Sequence, residues 1–343
     1  MENSTKLRIL YIYQYLMQNT DKENKLSTEE LKTALLEEYG IKANHNTISN
    51  DLITLRKGDL GVYYARSTQN KYYYDGRPLE VSELKTLIDI IASTRFITQR
   101  KSEELINKLL TLTSKQNAEK IRSHIVAEGR VRTDNEMVLD IIDVLNRAIN
   151  QHRKIKFKYT DYNIKKELYL RNDGEYYTVS PHILVYSGDT FYLQGYCDER
   201  KAMREYRIDR IYEKPIIVEE SAVPPDKEFI LTNKDYTVFS MMPSGTPKSV
   251  KLKCYKTFMK TIVDRFGKDV ETELIQDEED WFIANVKVDA SPMFYRWIFG
   301  FEGMVKLIAP DEVKKDYKEM LVKALQEIDE QQEGADCAEQ RRG

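Results

Sequence analysis

Three short stretches near the start of the chain carry apolar residues at helical spacing. The first is a stripe made up of Leu7, Leu10, Tyr11, Ile12, Tyr15 and Leu16. The second begins at Ser27, whose hydroxyl can accept from the Glu30 amide while the Glu30 carboxylate reaches back, and it ends near Gly40. The third covers about residues 46–57, with Ile48, Leu52 and Leu55 facing inward. Three helices with this spacing predict a helix-turn-helix.

Two β-prone runs follow the third predicted helix. Residues 62–66 and 71–74 are rich in tyrosine and flank a polar turn, which predicts a β-hairpin. A hairpin directly behind the third helix is the wing of a winged helix-turn-helix. Residues 42–71 hold five basic side chains against two acidic ones, a local charge of +3, whereas residues 1–76 hold ten of each sign. Positive charge is therefore concentrated on the third helix and the wing, as phosphate contacts require.

The polar start of the third helix suggests contact with base edges. Short polar side chains at this end of a recognition helix can reach into the major groove, while neighbouring basic residues bind phosphates. The sequence therefore predicts a duplex-binding surface made of Asn44, His45, Asn46, Thr47, Ser49, Asn50, Arg56, Lys57, Arg66 and Lys71. A winged domain can also serve as a protein-interaction module, and this alternative stays open.

The middle of the chain alternates between helical and strand patterns. Arg77-Pro78 breaks the chain, and heptad-like apolar residues over 80–126 predict two or three linker helices. Residues 137–149 form another amphipathic pattern, and residues 154–159 then alternate strictly between lysine and apolar side chains, which is typical of a half-exposed strand. Further strands are predicted to about residue 218, before Pro224-Pro225.

The segment 179–211 combines aromatic and basic residues. Two aromatic-rich alternating runs flank a Ser-Gly-Asp turn, and three arginines follow. Aromatic faces for stacking and guanidinium groups for phosphate suit a nucleic-acid or nucleotide ligand. In a regular strand Arg204 and Arg207 point to opposite faces. Arg207 therefore either pairs with an acid such as Asp209, or reaches a ligand through a bulge or bend.

Several short motifs resemble those of WYL-domain transcriptional regulators over nearly the whole chain. The motifs are Ser180-Pro181, Leu184-Val185-Tyr186, Phe191-Tyr192-Leu193 and Arg207-Ile208-Asp209-Arg210. Phe191 replaces the tryptophan that gives WYL domains the first letter of their name. The third helix, with Thr47-Ile48 and Asp51-Leu52, is similar to the recognition helix of these regulators, and residues 300–310 resemble the WCX-type extension behind WYL domains.

The resemblance implies a fold, an effector and a setting. It implies a Sm-like β-barrel whose polar and basic side chains bind a single-stranded nucleic acid or nucleotide effector, and it makes phage defence a plausible setting. Carried over residue by residue, it nominates an effector site of Ser180, His182, Tyr192, Arg204, Tyr206, Arg207 and Arg210. Phe191 and Leu193 are expected in the core.

The last part of the chain reads as strand, helix, strand, strand, helix, strand between residues 249 and 308, the order of a ferredoxin-like fold. The fold class is therefore α+β multidomain. The predicted domains are a winged helix-turn-helix (1–76), a helical linker (77–136), a WYL effector-binding domain (137–223), a WCX-like ferredoxin-like extension (224–330) and a disordered tail (331–343).

Composition and charge narrow the functional classes. The chain has 41% hydrophobic and 32% charged residues, a net charge of −3, three cysteines and four histidines. No apolar run reaches the roughly 18 residues of a membrane span, and no signal peptide precedes Leu7, so a cytoplasmic protein without membrane contact is expected. A disulfide framework, a zinc site and other cofactors are not expected. Ser180 lacks a nucleophile elbow, and residues 267–269 lack the glycines of a phosphate-binding loop, so no enzyme is predicted.

The combined prediction is a ligand-responsive, DNA-binding transcriptional regulator. We expect a homodimer on a double-stranded operator, because one winged domain contacts only a half-site. The alternative is a non-catalytic WYL accessory protein that regulates a partner enzyme through protein or single-stranded nucleic-acid binding.

Overall fold

The computed structural model describes residues 2–66, 68–125, 131–187, 189–225 and 248–340. The helices are α1 (Glu2–Asn19), α2 (Thr28–Tyr39), α3 (His45–Lys57), α4 (Val81–Ser93), α5 (Gln99–Leu110), α6 (Lys115–Ser123), α7 (Val138–Asn150), α8 (Met259–Phe266), α9 (Pro292–Phe299) and α10 (Asp311–Gln340). The strands are β1 (Leu26–Ser27), β2 (Val62–Ala65), β3 (Lys71–Tyr74), β4 (Arg153–Phe157), β5 (Thr160–Tyr162), β6 (Leu168–Leu170), β7 (Tyr177–Ser187), β8 (Thr190–Cys197), β9 (Ala202–Arg207), β10 (Ile216–Ser221), β11 (Lys248–Tyr255), β12 (Glu271–Leu274), β13 (Trp281–Val288) and β14 (Val305–Ala309).

The chain divides into two compact units. One consists of Met1–Thr178, Gly188–Leu193 and Tyr206–Glu220, and the other of Val179–Ser187, Gln194–Glu205 and Ser221–Gly343. Each unit contains both helices and strands, so the protein is a mixed α+β chain, as the sequence predicts.

The predicted capping box at the start of α2 is confirmed. The Ser27 amide donates to the Glu30 carboxylate over 2.7 Å, and the Glu30 amide donates to the Ser27 hydroxyl over 3.2 Å. Gly40 closes the helix with a φ of 66°, a conformation that glycine adopts without steric cost. Both ends of α2 are thus set by local sequence.

Helices α1, α2 and α3 pack around one apolar core with the hairpin of β2 and β3. Leu16, Leu31, Ile48 and Leu52 are fully or almost fully buried in it. Strand β3 lies between β1 and β2 in a three-stranded sheet, so the hairpin is attached to the residues that precede α2. The described residues 2–66 and 68–74 therefore form the predicted order of three helices followed by a hairpin.

An aspartate at the end of α1 joins these helices to the linker helices. The Asp21 carboxylate accepts from the Ser114 hydroxyl over 2.6 Å and from the Asn117 side chain over 3.2 Å. Ser114 is itself the N-cap of α6, since its hydroxyl accepts from the Asn117 amide. Burial acts to raise the pKa of Asp21, but the hydrogen bonds from Ser114, Asn24 and the Glu23 amide outweigh it, and the pKa is lowered.

Arg77, which follows the hairpin, also forms hydrogen bonds at the C-terminal end of α1. Its guanidinium donates to the carbonyls of Tyr74, Met17 and Thr20 over 2.6 to 2.9 Å. Burial lowers the pKa of Arg77. The Arg77 side chain therefore joins the end of β3 to the C-terminal end of α1.

The linker helices α4, α5 and α6 form their own core, with Leu84, Ile88 and Ile121 buried.

The predicted barrel is not found as a closed barrel. Strands β10, β4, β7, β8 and β9 form a five-stranded sheet in that order. Closure into a barrel would require hydrogen bonds between the two edge strands of this sheet, β10 and β9. A 3-10 turn, Ile208–Arg210, follows β9, and an isolated bridge pairs Tyr159 with Ile211. The smaller ladder of β5 and β6 lies apart from this sheet.

Four aromatic rings from β4, β7, β9 and the residue Tyr159 pack together in the core of the five-stranded sheet. The ring of Tyr206 contacts those of Phe157, Tyr159 and Tyr177 at centroid distances of 5.0, 5.4 and 5.7 Å. All four residues are buried. The Tyr159 hydroxyl accepts from the Arg207 amide over 3.0 Å, so the cluster also satisfies backbone where β9 ends.

The C-terminal elements follow the predicted order of strand, helix, strand, strand, helix and strand. The four strands form one sheet in the order β12, β13, β11, β14. Strands β11 and β13 are paired along their whole length, from Lys248 opposite Val288 to Tyr255 opposite Trp281. Helix α10 continues to Gln340, which differs from the disordered tail expected from residue 331; the tail residues 341–343 lie outside the described residues. Its Glu, Gln and Ala residues are good helix formers.

Two cysteines lie in apolar surroundings. Cys197 and Cys254 are buried; the Cys197 thiol donates to the Glu199 carboxylate over 3.3 Å, and burial raises the pKa of the Cys254 thiol to about 12. Among the described residues no cluster of histidine, cysteine and acidic side chains could hold a metal ion. Within the same residues, every helix is too short or too polar to span a bilayer.

The contact of Ser114 with Asp21 gives a stability prediction. Ser114→Ala removes both the cap of α6 and a donor to a buried carboxylate, so we expect a loss of about 1 to 2 kcal/mol in the free energy of unfolding. Because the folded pKa of Asp21 is lowered, its stabilisation is present at neutral pH and lost as the pH falls through the folded value. Asp21→Asn should therefore reduce the acid-induced loss of stability. Urea unfolding between pH 7 and pH 3 measures both effects.

The matched control is Ser123→Ala at the other end of α6, where the hydroxyl donates to the exposed Lys120 carbonyl and lies 3.1 Å from the exposed His124 ring nitrogen. It should change stability by less than about 0.5 kcal/mol. Equal effects of the two serine variants would contradict a special role for the Asp21 contact.

Candidate nucleic-acid interfaces

The start of α3 is held by its own cap. The Asn44 side-chain oxygen accepts from the Thr47 amide over 2.9 Å and from the Thr47 hydroxyl over 2.7 Å. The His45 ring lies 3.5 Å from the Ser49 hydroxyl. These predicted site residues are thus brought together, and Asn44 and Thr47 orient the helix start.

The remaining predicted residues of α3 share its exposed side. Ile48, Leu52 and Leu55 face the core, whereas Asn46, Asn50, Arg56 and Lys57 are exposed. Asp51 forms a bidentate ion pair with Arg8 of α1, with a shortest distance of 2.6 Å. The pair fixes α3 against α1, so the exposed side keeps a defined direction.

Tyr64 of the hairpin contacts two arginines of this surface, Arg56 and Arg66. The Arg56 guanidinium lies 4.0 Å from the centre of the Tyr64 ring, and the Arg66 guanidinium donates to the Tyr64 hydroxyl over 3.4 Å. The hydrogen bond from Arg66 and the charges of both arginines lower the pKa of Tyr64. The sequence prediction missed Tyr64. Its position near the end of β2, two residues before Arg66 along an extended chain, was the available signal.

The predicted effector residues are placed in different environments. Ser180 is fully buried, and its hydroxyl accepts from the Val223 amide over 2.9 Å. Tyr206 lies in the aromatic core described above, so its ring is not free to stack on a ligand. His182 is half-buried on β7, and Arg204 is exposed on β9. Leu193 is fully buried, as expected, and Phe191 packs edge-on against Phe96 at 4.9 Å.

Arg207 forms an ion pair with Asp209. Two guanidinium nitrogens donate to the two carboxylate oxygens over 3.1 and 2.8 Å. These hydrogen bonds raise the pKa of Arg207 against the opposing effect of burial, and Tyr192 is near enough to contribute in the same direction. The structural ion pair that the sequence left open is therefore present. Arg210 contacts Asp161 at 3.4 Å and is about one-third exposed.

A cavity of about 580 Å³ brings Arg207 and Arg210 together with two arginines of the linker, Arg95 and Arg132. Three carboxylates, of Asp134, Glu136 and Asp209, and the rings of Tyr162 and Tyr212 also line it. We call this space the arginine cavity. The sequence prediction missed Arg95 and Arg132, because they lie at least 75 residues before Arg207 and no local pattern links them to it.

The linker segment at residues 131–136 forms one wall of the arginine cavity. The Asn135 side chain donates to the carbonyls of Asp209 and Ile211 over 3.1 and 2.8 Å. The Thr133 amide donates to the Arg95 carbonyl over 3.1 Å. Arg132 donates to the Ala92 carbonyl, and burial lowers its pKa. This wall is thus hydrogen-bonded to the residues on either side of it.

The lining of the arginine cavity suits an anion that carries an aromatic group. Guanidinium forks bind phosphate through paired hydrogen bonds. Asp209 engages Arg207 and Glu136 engages Arg100, whereas Arg95 is exposed at the rim. Tyr162 and Tyr212 are about half exposed, so their rings can stack on a base.

Two family descriptions match the chain. The WYL domain matches residues 140–214, and the WCX domain matches residues 246–325, which confirms the resemblance seen in the sequence. No curated protein matches the chain.

Sixteen chains of solved structures match as well. One is the proteasome accessory factor B/C (PafBC) of Arthrobacter aurescens, with 14% identity and a TM-score of 0.26; the match covers 93% of this chain and 47% of that chain, so this chain spans about half its length. Another is a CRISPR Cas-related protein, with 11% identity and a TM-score of 0.34, covering 92% of this chain and 98% of that chain. Neither similarity carries an argument at these scores.

The ion pair of Arg207 gives a second prediction. Arg207→Ala leaves the Asp209 carboxylate, whose side chain is only 10% exposed, without its partner. We expect a loss of about 1 to 2 kcal/mol in the free energy of unfolding, measured by urea denaturation. Arg204→Ala is the matched control on β9, and its exposed side chain should leave stability unchanged within about 0.5 kcal/mol. Equal stability of the two variants would remove the structural role of Arg207.

Proposed function

We propose that this protein, a WYL-domain protein with a WCX domain, is a ligand-responsive transcriptional regulator that binds a double-stranded DNA operator. The observation that carries the proposal is the exposed polar side of α3 beside the Arg56–Tyr64–Arg66 cluster. In this interpretation residues 1–76 are a winged helix-turn-helix, 77–136 a helical linker, 137–223 a Sm-like WYL domain and 224–330 a ferredoxin-like extension. A cytoplasmic location fits this role.

The proposed duplex contacts fall into two classes. Asn46 and Asn50 are exposed amides that suit adenine edges in the major groove. Arg56, Lys57, Arg66 and Lys71 are exposed cations that suit phosphates on either side. A homodimer would place two such surfaces on the half-sites of one operator.

The proposed effector site is the arginine cavity. Its arginines would hold the phosphates of a single-stranded nucleic acid or nucleotide, and Tyr162, Tyr192 or Tyr212 would stack on a base. Of the residues nominated from the sequence, Arg207 and Arg210 line this cavity, and Tyr192 lies close enough to affect Arg207. The linker residues Arg95 and Arg132 are added to the site.

The linker connects the effector site to the DNA-binding helices. Residues 131–136 line the arginine cavity, and α6 contacts Asp21 at the end of α1 through Ser114. An effector that moves this wall would bias the position of the winged domain. The coupling must be reciprocal: an effector that changes operator affinity by some factor is itself bound more or less tightly by the same factor.

The DNA-binding proposal is tested by fluorescence anisotropy with duplex from the protein's own promoter region. Arg56→Ala with Lys57→Ala should weaken binding to all duplexes at least tenfold and flatten the salt dependence, because two phosphate contacts are lost. Asn46→Ala with Asn50→Ala should mainly reduce the preference for the operator over unrelated duplexes. The mass of the complex should correspond to two chains per operator.

Lys108→Ala, at an exposed position of α5, is the matched charge control. Unchanged binding by the α3 variants would show that this surface is not the DNA interface. Absence of duplex binding by the parent protein would favour the alternative, an accessory protein that regulates a partner enzyme.

The effector proposal is tested with short labelled single-stranded oligonucleotides. Arg95→Ala with Arg210→Ala should weaken their binding at least tenfold, since each charge-assisted hydrogen bond contributes about 1.5 to 3 kcal/mol. The same variant should lose any effect of the oligonucleotide on operator affinity while keeping operator binding itself. Arg147→Ala on α7 is the control, because it removes an exposed arginine that pairs with Asp143 on its own helix. Equal binding by both variants would exclude the arginine cavity.

A further inference from the structure

The four-stranded C-terminal sheet has one face covered by helices and one face that carries polar and aromatic side chains. Ile262 of α8, Phe294 of α9 and Val313 of α10 pack with the inward residues of the strands in one core. Along the central strands β11 and β13, the residues between those core positions point to the other face. They are Ser249, Lys251, Lys253 and Tyr255 on β11, and Trp281, Ile283, Asn285 and Lys287 on β13.

Two aromatic rings lie side by side on this open face. Tyr255 and Trp281 are directly opposite each other in the ladder, and their rings meet edge to face at 5.4 Å. The Lys306 ammonium lies 4.5 Å from the Trp281 ring centre, and the Lys253 ammonium lies 5.4 Å from it. Both rings are partly exposed. Aromatic side chains on the two central strands of a sheet with this order are what the RNA-recognition motif uses to stack bases.

The face continues from these rings toward a second basic region. Six strand steps separate Trp281 from Lys287, which is roughly 20 Å at the usual strand rise. At that end a cavity of about 610 Å³ is lined by Lys251, Lys287, Asn285 and Arg265 of α8, together with the carboxylates of Asp269 and Glu271. A single strand laid along β13 would thus meet the stacking groups first and the Lys287 ammonium afterwards, whereas the Asn285 amide already donates to Glu273 over 2.7 Å.

We propose that this open face binds single-stranded nucleic acid as a second site, separate in sequence from the arginine cavity. Tyr255 and Trp281 would stack on unpaired bases, and Lys306 and Lys287 would contact the backbone. Duplex DNA does not fit this chemistry, because its bases are already stacked on each other. The proposal does not depend on operator binding.

The charges on the face limit how much phosphate attraction can contribute. Glu273 lies 3.7 Å from Lys251, and Glu278 lies 2.5 Å from Lys253, so two of the four lysines are already paired with carboxylates. Stacking should therefore supply most of the affinity, and binding should depend only weakly on salt. This separates the site from one that attracts any polyanion.

The experiment uses the full chain with Arg95→Ala and Arg210→Ala, so that the arginine cavity is disabled. In this background a labelled ten-nucleotide thymidine oligomer should bind, and Trp281→Ala should weaken the binding roughly tenfold or more. The matched control is Leu274→Ala, which removes a 91% exposed apolar side chain from the edge strand β12 of the same sheet. It should bind like the background protein.

Intrinsic fluorescence gives a second readout, because the chain has only two tryptophans. Trp297 packs against Phe266 and Phe301. The oligomer should quench emission in the background protein but not in Trp281→Phe, where only Trp297 emits. A uridine oligomer of equal length distinguishes RNA from DNA preference.

Three results would overturn the proposal. They are equal binding by the Trp281→Ala and Leu274→Ala proteins, quenching that persists in Trp281→Phe, and no binding at all in the background protein. A shift in tryptophan emission with protein concentration, matched by self-association in sedimentation, would instead assign the face to a second copy of the chain.

Discussion

The burial of the Asp21 carboxylate imposes a strict requirement on the first unit. A buried charge is costly unless hydrogen bonds satisfy it. Asp21 obtains them from its own turn and from Ser114 and Asn117 at the start of α6. The end of α1 and the first turn of α6 must therefore stay together for either to remain satisfied. Arg77 adds a second constraint by donating to three carbonyls around the same chain ends.

A similar logic governs the arginine cavity. Arginine is costly to bury, and each of these side chains lies near an acceptor or at the rim: Arg132 at the Ala92 carbonyl, Arg207 at Asp209 and Arg210 at Asp161. The wall at 131–136 is fixed by backbone acceptors on either side rather than by apolar packing. A wall fixed by hydrogen bonds can rearrange by exchanging one acceptor for another. This property suits the effector response proposed for the cavity.

The sequence predicted best what depends on near neighbours. The capping box of Ser27 and Glu30 and the closing Gly40 are decided within a few residues, and the alternation of the C-terminal strands is equally local. The arginine cavity could not be predicted, because its two halves come from distant segments. Tyr206 was misplaced because alternation alone does not tell an aromatic core from an aromatic binding surface. The sequence prediction of a closed barrel also missed the 3-10 turn that follows β9, which has no strong sequence signal.

The stacking of Arg56 on Tyr64 has a consequence for the cost of recognition. A free arginine loses much rotational freedom when it binds a phosphate, and ordering such a side chain costs about 0.5 to 1.5 kcal/mol. Arg56 is already confined at 4.0 Å from the ring, so part of this entropy is lost on folding rather than on binding. In the proposed DNA interface the hairpin would therefore hold the Arg56 guanidinium in one direction, and Tyr64 would contribute to affinity without touching the DNA.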